Sequence, residues 1–525
     1  MMQSTLRRNY LILALIEGAA VMAVELLGAK MAAVYYGSSL YVWTSVLSIT
    51  VGGLAAGYFL GGYLSELKDS KKIINIAFLL ATILVLLMPS YANLVMKMAM
   101  VLGYHSGAVL SCFLFIFPTM VLFGTIPPNI IHVITEEPGS SGNSTGHVYT
   151  ISTFGGIFMT LIIGFYAIPH FGLKTCAIAV AALLATVPFL NFLKSKILYS
   201  LAILFGLIFT SAFMLKGTGQ KSNSHIRVLH KSDGLMGQML VADDLKTEKR
   251  SLLVNNISQT FMHIPSGRSQ WRYVHRMAMY ASMMPTGSNV LLCGIGGGNL
   301  INEFSSLGFN IDAVDLDARM AKIASQYFMM TPRANFFEDD ARHYIRTCKK
   351  EYDLIILDMS AGENQPSNVY TLECFKEIRN LLSEQGILFL HYQNALEGEN
   401  ALAVKSLGKT LAESGLNPQL LNTDKVQEDG TRFNWDKVGE IMLFGSKNAV
   451  DLNMEFERRD GFADPFNFAR GEHTVIKDYD FSGGMIFTDD LPIMDVLHTG
   501  TLSTTRGATL KQLIPILIDQ KIDLL

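Results

Sequence analysis

Through residue 215 apolar positions gather into long runs with few polar interruptions; beyond it the pattern breaks into short alternations and helical periods. Seven runs are near the length that crosses a bilayer, roughly 20 residues. They lie at about 10–35, 41–64, 73–91, 106–134, 147–168, 172–192 and 197–215. The first is too long for a cleavable signal peptide, lacks a convincing cleavage site and is followed by further spans. Tyr91–Tyr104 reads as an amphipathic connector. Gly52, Gly53, Gly57, Gly61 and Gly62 allow close helix approach, and Pro127, Pro128, Pro169 and Pro188 are expected to kink or end helices.

Lys216–Ser224 reads as a polar linker. Alternating runs at His225–His230, Gly237–Ala242 and Ser251–Val254, with Ser232-Asp233-Gly234 as a turn, predict a small antiparallel β unit. Ser269–Met284 reads as a helix. The chain is therefore expected to hold a transmembrane domain of about seven helices (1–215), a linker with a small β domain (216–265), and a Rossmann-like α/β domain (266–525).

The α/β reading rests on 289–358. Asn289–Cys293 is an apolar run, followed by Gly294-Ile295-Gly296-Gly297-Gly298-Asn299, a helical period over Leu300–Leu307, and a second run ending at Asp315. Glycines suit a tight turn that a ligand approaches on bare backbone, and the free N–H groups of the following helix help hold a polar ligand. An acid about 20 residues on can accept ribose hydroxyls. Two further runs end at Asp340 and Asp358, so three strands end in carboxylates, where a doubly wound sheet binds its ligand. Without a GxxxxGK[ST] stretch, an NTPase is not expected. Later elements are a helix over about 372–382, a strand at Gly386–His391, a helix at Ala401–Ser414, a strand at Ile441–Gly445 and a closing helix at Leu510–Asp519.

Composition narrows the function. Across 525 residues the net charge is −3, with no long basic tract, which argues against a nucleic-acid partner. Five cysteines (Cys112, Cys176, Cys293, Cys348, Cys374) lack a CxxC spacing, so neither a disulfide framework nor a metal site is expected; each reads as a small buried apolar residue. Glu17, Glu25 and Lys30 fall inside the first span, where ionisable groups face a partner or a wet cavity.

The soluble half resembles the spermidine synthase-like superfamily of aminopropyltransferases, in its membrane-fused branch. The resemblance is carried by Ser232–Gly237, Gln259, Val290–Phe304, Ala313–Asp317, Tyr327-Phe328, Asp339–Ile345, Tyr352–Asp358, Thr371–Phe375, Gly386–His391 and Thr488–Pro492, and in the membrane half by Glu17–Lys30 and Gly146–Gly172. It implies that Gly294, Gly296 and Gly298 form the cofactor turn and that Gln259 reaches the amino acid or aminopropyl part of the cofactor. By the same resemblance Asp315 binds the ribose, Asp340 lies at the adenine amino group and Asp358 is the acid beside the reacting centre. Two departures stand out: Gly297 and Ala361 occupy places where spermidine synthases have aspartate. His275 also replaces a glutamate of the family pattern after Tyr273.

The expected function is a membrane-bound transferase using S-adenosylmethionine or its decarboxylated form, moving a methyl or aminopropyl group. Asp358 would orient the acceptor or act as base, with Tyr370 and His391 as weaker candidates. A diamine would be poorly held without the two aspartates, so efficient spermidine synthesis is not expected. The partners expected are a small or membrane-held acceptor, membrane lipid and, from the resemblance, a second copy in a homodimer. The alternative is a transporter or membrane sensor with a nucleoside- or polyamine-binding domain. Location is expected in the cell inner membrane with the soluble domain cytoplasmic. That side conflicts with positive-inside logic: Arg7, Arg8, Lys68, Lys71, Lys72, Lys194 and Lys196 share one side in a seven-span count, which sends residue 216 onward to the other.

Overall fold

The computed structural model describes all residues except 1, 136–139, 194–196, 216–224, 235, 361–364, 423–437, 451–474 and 477–478. The expected linker, Leu235 and Ala361 therefore lie outside the described residues.

The chain forms two compact units, one of Met1–Ser224, Lys231–Met239 and Gly507–Leu525, the other of His225–His230 and Leu240–Arg506. The first is built on α1 (Met2–Tyr36), α2 (Leu40–Leu67), α3 (Ser70–Ala99), α4 (Tyr104–Phe115), α5 (Phe117–Ile134), α6 (Ser141–Leu161), α7 (Ile168–Leu193) and α8 (Ile197–Leu215). By length and apolarity six helical stretches among the described residues are candidates to cross a membrane, where the sequence pattern suggested seven. The difference lies at Ser141–Leu193, which runs as one stretch of 53 residues through a π-helical turn, with a non-helical break at Gly172 (φ 75, ψ 170). Leu173 N–H beyond that break donates to Asp233 Oδ2 at 3.0 Å, so Asp233 of the Ser-Asp-Gly turn acts as a helix cap. The expected connector after Tyr91 is instead the last part of α3, which continues through Pro89 to Ala99. Glycines let α2 and α5 touch at the backbone: a Cβ on Gly57 would lie 2.3 Å from the Val121 carbonyl oxygen.

Four strands, β1 (Ile226–Ser232), β2 (Met239–Asp244), β3 (Lys249–Val254) and β4 (Ile257–His263), form a sheet in sequential order. β4 was missed because its polar residues Ser258, Gln259 and Thr260 mask the alternation. The α/β part follows as α9 (Arg272–Ala281), β5 (Asn289–Cys293), α10 (Asn299–Ser306), β6 (Asn310–Asp315), α11 (Arg319–Tyr327), β7 (Ala334–Glu338), α12 (Ala341–Thr347) and β8 (Tyr352–Leu357). Then come α13 (Leu372–Leu381), β9 (Leu382–Asn394), α14 (Leu402–Glu413), β10 (Asn417–Asn422), β11 (Gly439–Ser446) and β12 (Val475–Ile476). Three helices close the chain, α15 (Met494–Leu497), α16 (Thr499–Lys511) and α17 (Leu513–Asp519).

The eight strands order as β12-β10-β11-β9-β8-β5-β6-β7. β9 through β7 are parallel, and β11, β10 and β12 extend the sheet antiparallel. Leu291, Val314, Ile355, Leu357 and Leu388 are fully or almost fully buried, as expected of parallel strands covered on both faces. The order reverses at β5, which pairs with β6 on one side and β8 on the other. The crevice beyond their carboxyl ends is where such sheets place a ligand.

Candidate active site

β5 and β8 end in register, Cys293 opposite Leu357. Gly294 (φ 95) then passes so close to the next strand that a Cβ there would lie 2.1 Å from the Asp358 carbonyl oxygen. This approach requires glycine on steric grounds alone. Gly298 (φ 74) stands at the start of α10 with no side-chain cap, which leaves the first N–H groups of that helix for a ligand. The Asn299 amide is buried with neither its nitrogen nor its oxygen hydrogen-bonded among the described residues. A buried orphan amide is costly, and a polar ligand in the turn would satisfy it.

Asp315 closes β6 and reaches back to this turn. Its Oδ2 accepts the Ile295 N–H at 3.0 Å and its Oδ1 the Asp317 N–H at 2.9 Å. Burial raises its carboxyl above the usual range, opposed by those two backbone donors. Each oxygen retains a further lone pair. Gln259 on β4 accepts the Ser360 hydroxyl at 2.5 Å, two residues beyond Asp358, and its carbonyl oxygen lies 4.0 Å from where a Gly296 Cβ would stand. Asp340 is the N-cap of α12, its Oδ1 accepting the His343 N–H at 3.0 Å. Asp315, Gln259, the three glycines and Asp358 thus gather around one turn, while Asp340 stands at the end of β7 with a helix-capping duty of its own.

Asp358 is held on both oxygens. Tyr273 of α9 donates its hydroxyl to Oδ2 at 3.0 Å, and His391 of β9 donates Nδ1–H to Oδ1 at 2.8 Å. The other His391 nitrogen binds Glu440 Oε2, which lies diagonally across the β9–β11 ladder, and Gln393 donates to Glu440 Oε1 at 2.5 Å. Burial opposes a charge on His391, but Glu440 and Asp358 outweigh it and push the imidazole up to about 10. Burial, then Asp358 and Glu440, raise the Tyr273 phenol well above its usual range, so it remains a neutral donor. Two carboxylates therefore share one imidazolium. Tyr370 is fully buried with a hydroxyl that has no hydrogen-bond partner among the described residues. Burial raises its phenol, with the Asp358 charge adding to the effect.

Other motif residues serve the frame. Arg342 of α12 pairs with Asp489 at 3.0 Å and with Glu377 at 3.2 Å, and Thr371 donates its hydroxyl to Asp489 at 2.6 Å. His275 is fully buried, with Nε2 donating to the Ser269 carbonyl at 2.9 Å and Nδ1 3.6 Å from Glu303, away from Asp358. Sequence reasoning missed Glu440, whose partner is 49 residues away and is brought to it only by antiparallel pairing. It also missed Thr260, whose hydroxyl accepts the Gly297 N–H at 2.8 Å and whose methyl would stand 2.6 Å from a Cβ on Gly297. Among the described residues no cluster suits a metal ion, and four of the five cysteines are buried, with Cys348 half-buried.

Residues 272–427 match the family described as spermine/spermidine synthase domain. Over 141 residues the chain is 32% identical to a polyamine aminopropyltransferase of Clostridium beijerinckii, covering 25% of this chain and 50% of that protein. It is 27% identical over 127 residues to an N-terminal histidine N-methyltransferase of Emericella nidulans, covering 23% of each. The chain spans about half the length of the first two aminopropyltransferases it matches. A solved spermidine synthase from Thermotoga maritima is 13% identical and covers 54% of this chain and 88% of its own, with a TM-score of 0.36.

Proposed function

The C-terminal part of the chain carries a spermine/spermidine synthase domain, and from that premise we propose a membrane-bound transferase that moves an aminopropyl or methyl group from an adenosyl sulfonium donor to a nucleophilic acceptor. The observation that carries this reading is the Asp315 carboxylate, half-buried and held against the Ile295 N–H of the glycine turn beside Asp358. The residues fit the donor. Asp315 offers remaining lone pairs for ribose hydroxyls, the uncapped start of α10 and the orphan Asn299 amide offer polar contacts, and Gln259 borders the turn. Asp340 is assigned to the adenine amino group through its family position.

When bound, the donor supplies a carbon made electrophilic by the adjacent positive sulfur. The chain's own task is alignment of the acceptor for in-line displacement. Asp358 accepts from the incoming nucleophile. Both of its oxygens already accept hydrogen bonds, from Tyr273 and His391, which fixes the carboxylate plane and favours orientation of the acceptor over proton removal. The Tyr370 hydroxyl, buried without a hydrogen-bond partner among the described residues, is a candidate for a further contact. The cluster of Asp358, Glu440 and His391 carries one net negative charge, enough for a monocation. A dicationic diamine needs more, and Gly297 offers no carboxylate, so efficient spermidine synthesis is not the proposed reaction.

The six apolar stretches support insertion in a membrane; the placement proposed is the inner membrane with the transferase domain in the cytoplasm, where the donor is made. Calorimetry of the full chain in detergent with S-adenosylmethionine and its decarboxylated form tests the reading. Binding of one of them, weakened at least tenfold in Asp315→Ala, supports it; binding of neither overturns it. A fluorescent protein fused after Leu525 should mature in the cytoplasm, and activity of a periplasmic reporter at that position would reverse the orientation.

A further inference from the structure

The helical unit contains a pocket apart from the site described above. Between α1, α2 and α6 lies a cavity of about 440 Å³, within the roughly 300–1,000 Å³ typical of small-molecule sites. Its existence follows from the glycines that bring α1 against α6. A Cβ on Gly18 would lie 1.9 Å from the Ser152 carbonyl oxygen, and one on Gly155 would lie 2.3 Å from that of Leu15. This contact turns Glu17 inward, where it is 2% exposed and accepts the Ser152 hydroxyl at 2.8 Å. Met22, Leu54 and Ile157 give the cavity apolar walls, Tyr58 adds an aromatic one, and no lysine or arginine among the described residues lines it.

A carboxyl group in such surroundings requires a proton or a cation, because a neutral hydroxyl donor does not offset the loss of hydration. The apolar walls suit an alkyl chain. We propose that this cavity binds a small alkyl amine, with its ammonium on Glu17 and its chain against Met22, Leu54 and Ile157. Depth selects the source of the amine. Glu17 lies about 5 Å from the midpoint of the apolar stretch Thr5–Tyr36, at ~1.5 Å per residue. A phospholipid headgroup sits at the edge of a hydrocarbon core about 30 Å thick, too far out to reach it. The ligand is therefore a free amine. The inference rests on the reading of these helices as membrane-spanning, and not on the transfer reaction.

The test uses the full chain in phosphatidylcholine nanodiscs and radiolabelled n-hexylamine. Saturable binding is expected, at least tenfold weaker in Glu17→Gln, and n-hexanol should not compete. Ile157→Trp, which fills the cavity from an exposed wall position, should abolish binding and serves if Glu17→Gln does not fold. Equal binding by Glu17→Gln, or equal competition by hexanol, would reduce the site to an apolar cleft and overturn the proposal. Competition by phosphatidylethanolamine added to the disc would assign the site to a lipid headgroup and overturn the free amine. Release of the protein from membranes by alkaline washing overturns the membrane reading and this inference with it. Absent binding by inserted protein overturns the inference alone.

Discussion

His391 lies flat on Tyr273, with ring centroids 3.6 Å apart and planes 10° from parallel, and both side chains donate to the same carboxylate, Asp358. The stack fixes the imidazole plane, so its two nitrogens point at two different acids. An imidazolium over an aromatic face is also favoured by the ring quadrupole.

The first prediction concerns alkaline pH. The folded pKa of His391, about 10, lies above the ordinary value of 6.5. Its contribution to stability is therefore complete below about pH 6.5 and is lost as pH rises through 10. The thermal midpoint of the full chain should fall across that window, and the fall should be smaller in His391→Gln. Parallel curves for the two proteins would remove the charge from His391.

Acid pH reports on His498, at the end of α15, which meets the β9 residue next to His391. His498 accepts the Tyr392 hydroxyl at Nδ1, 2.7 Å away, and burial lowers its pKa to about 4. A depressed histidine contributes stability above about pH 6.5 that is lost as pH falls through 4. His498→Phe should flatten the thermal midpoint between pH 6.5 and 4, and an unchanged acid limb would assign that loss to other groups.

Asp315→Ala should weaken adenosyl donor binding at least tenfold in calorimetry. A hydrogen bond to a charged acceptor is worth about 1.5–3 kcal/mol. Because Asp315 also accepts the Ile295 and Asp317 N–H groups, some loss of stability should accompany it. Unchanged affinity in a folded variant would remove the ribose assignment.

The unaltered protein should turn over putrescine and decarboxylated S-adenosylmethionine very slowly, and brisk spermidine formation would contradict the charge argument. Restoring the acid at Gly297 is obstructed by Thr260, whose methyl stands 2.6 Å from the required Cβ. Overpacking of this kind costs about 1–3 kcal/mol. Gly297→Asp alone should therefore lower the thermal midpoint, and adding Thr260→Ala should recover much of it. Equal destabilisation with and without Thr260→Ala would place the strain elsewhere.

What the sequence determined by itself was local in origin. Apolar runs of bilayer length, the Gly294–Asn299 turn between two apolar runs, and acids at the ends of β6 and β8 are legible because each depends on residues adjacent along the chain. The strand over Gly386–His391 and the helix at 372–381 were readable for the same reason, one by its apolar run and the other by its period. Tertiary structure decided what depends on pairing between distant segments. Glu440 meets His391 only because β11 runs antiparallel to β9, and Thr260 covers Gly297 only because β4 passes over the glycine turn. Hydropathy already separated 147–168 from 172–192, and the structure puts its non-helical break at Gly172, where the second run begins. Only the tertiary structure shows that the chain otherwise stays helical through a π turn, so that the two runs form one stretch of 53 residues. Glu17 was visible as an acid in an apolar span, but its cavity arises from close approach of Gly18 and Ser152, residues 134 positions apart that no local pattern relates.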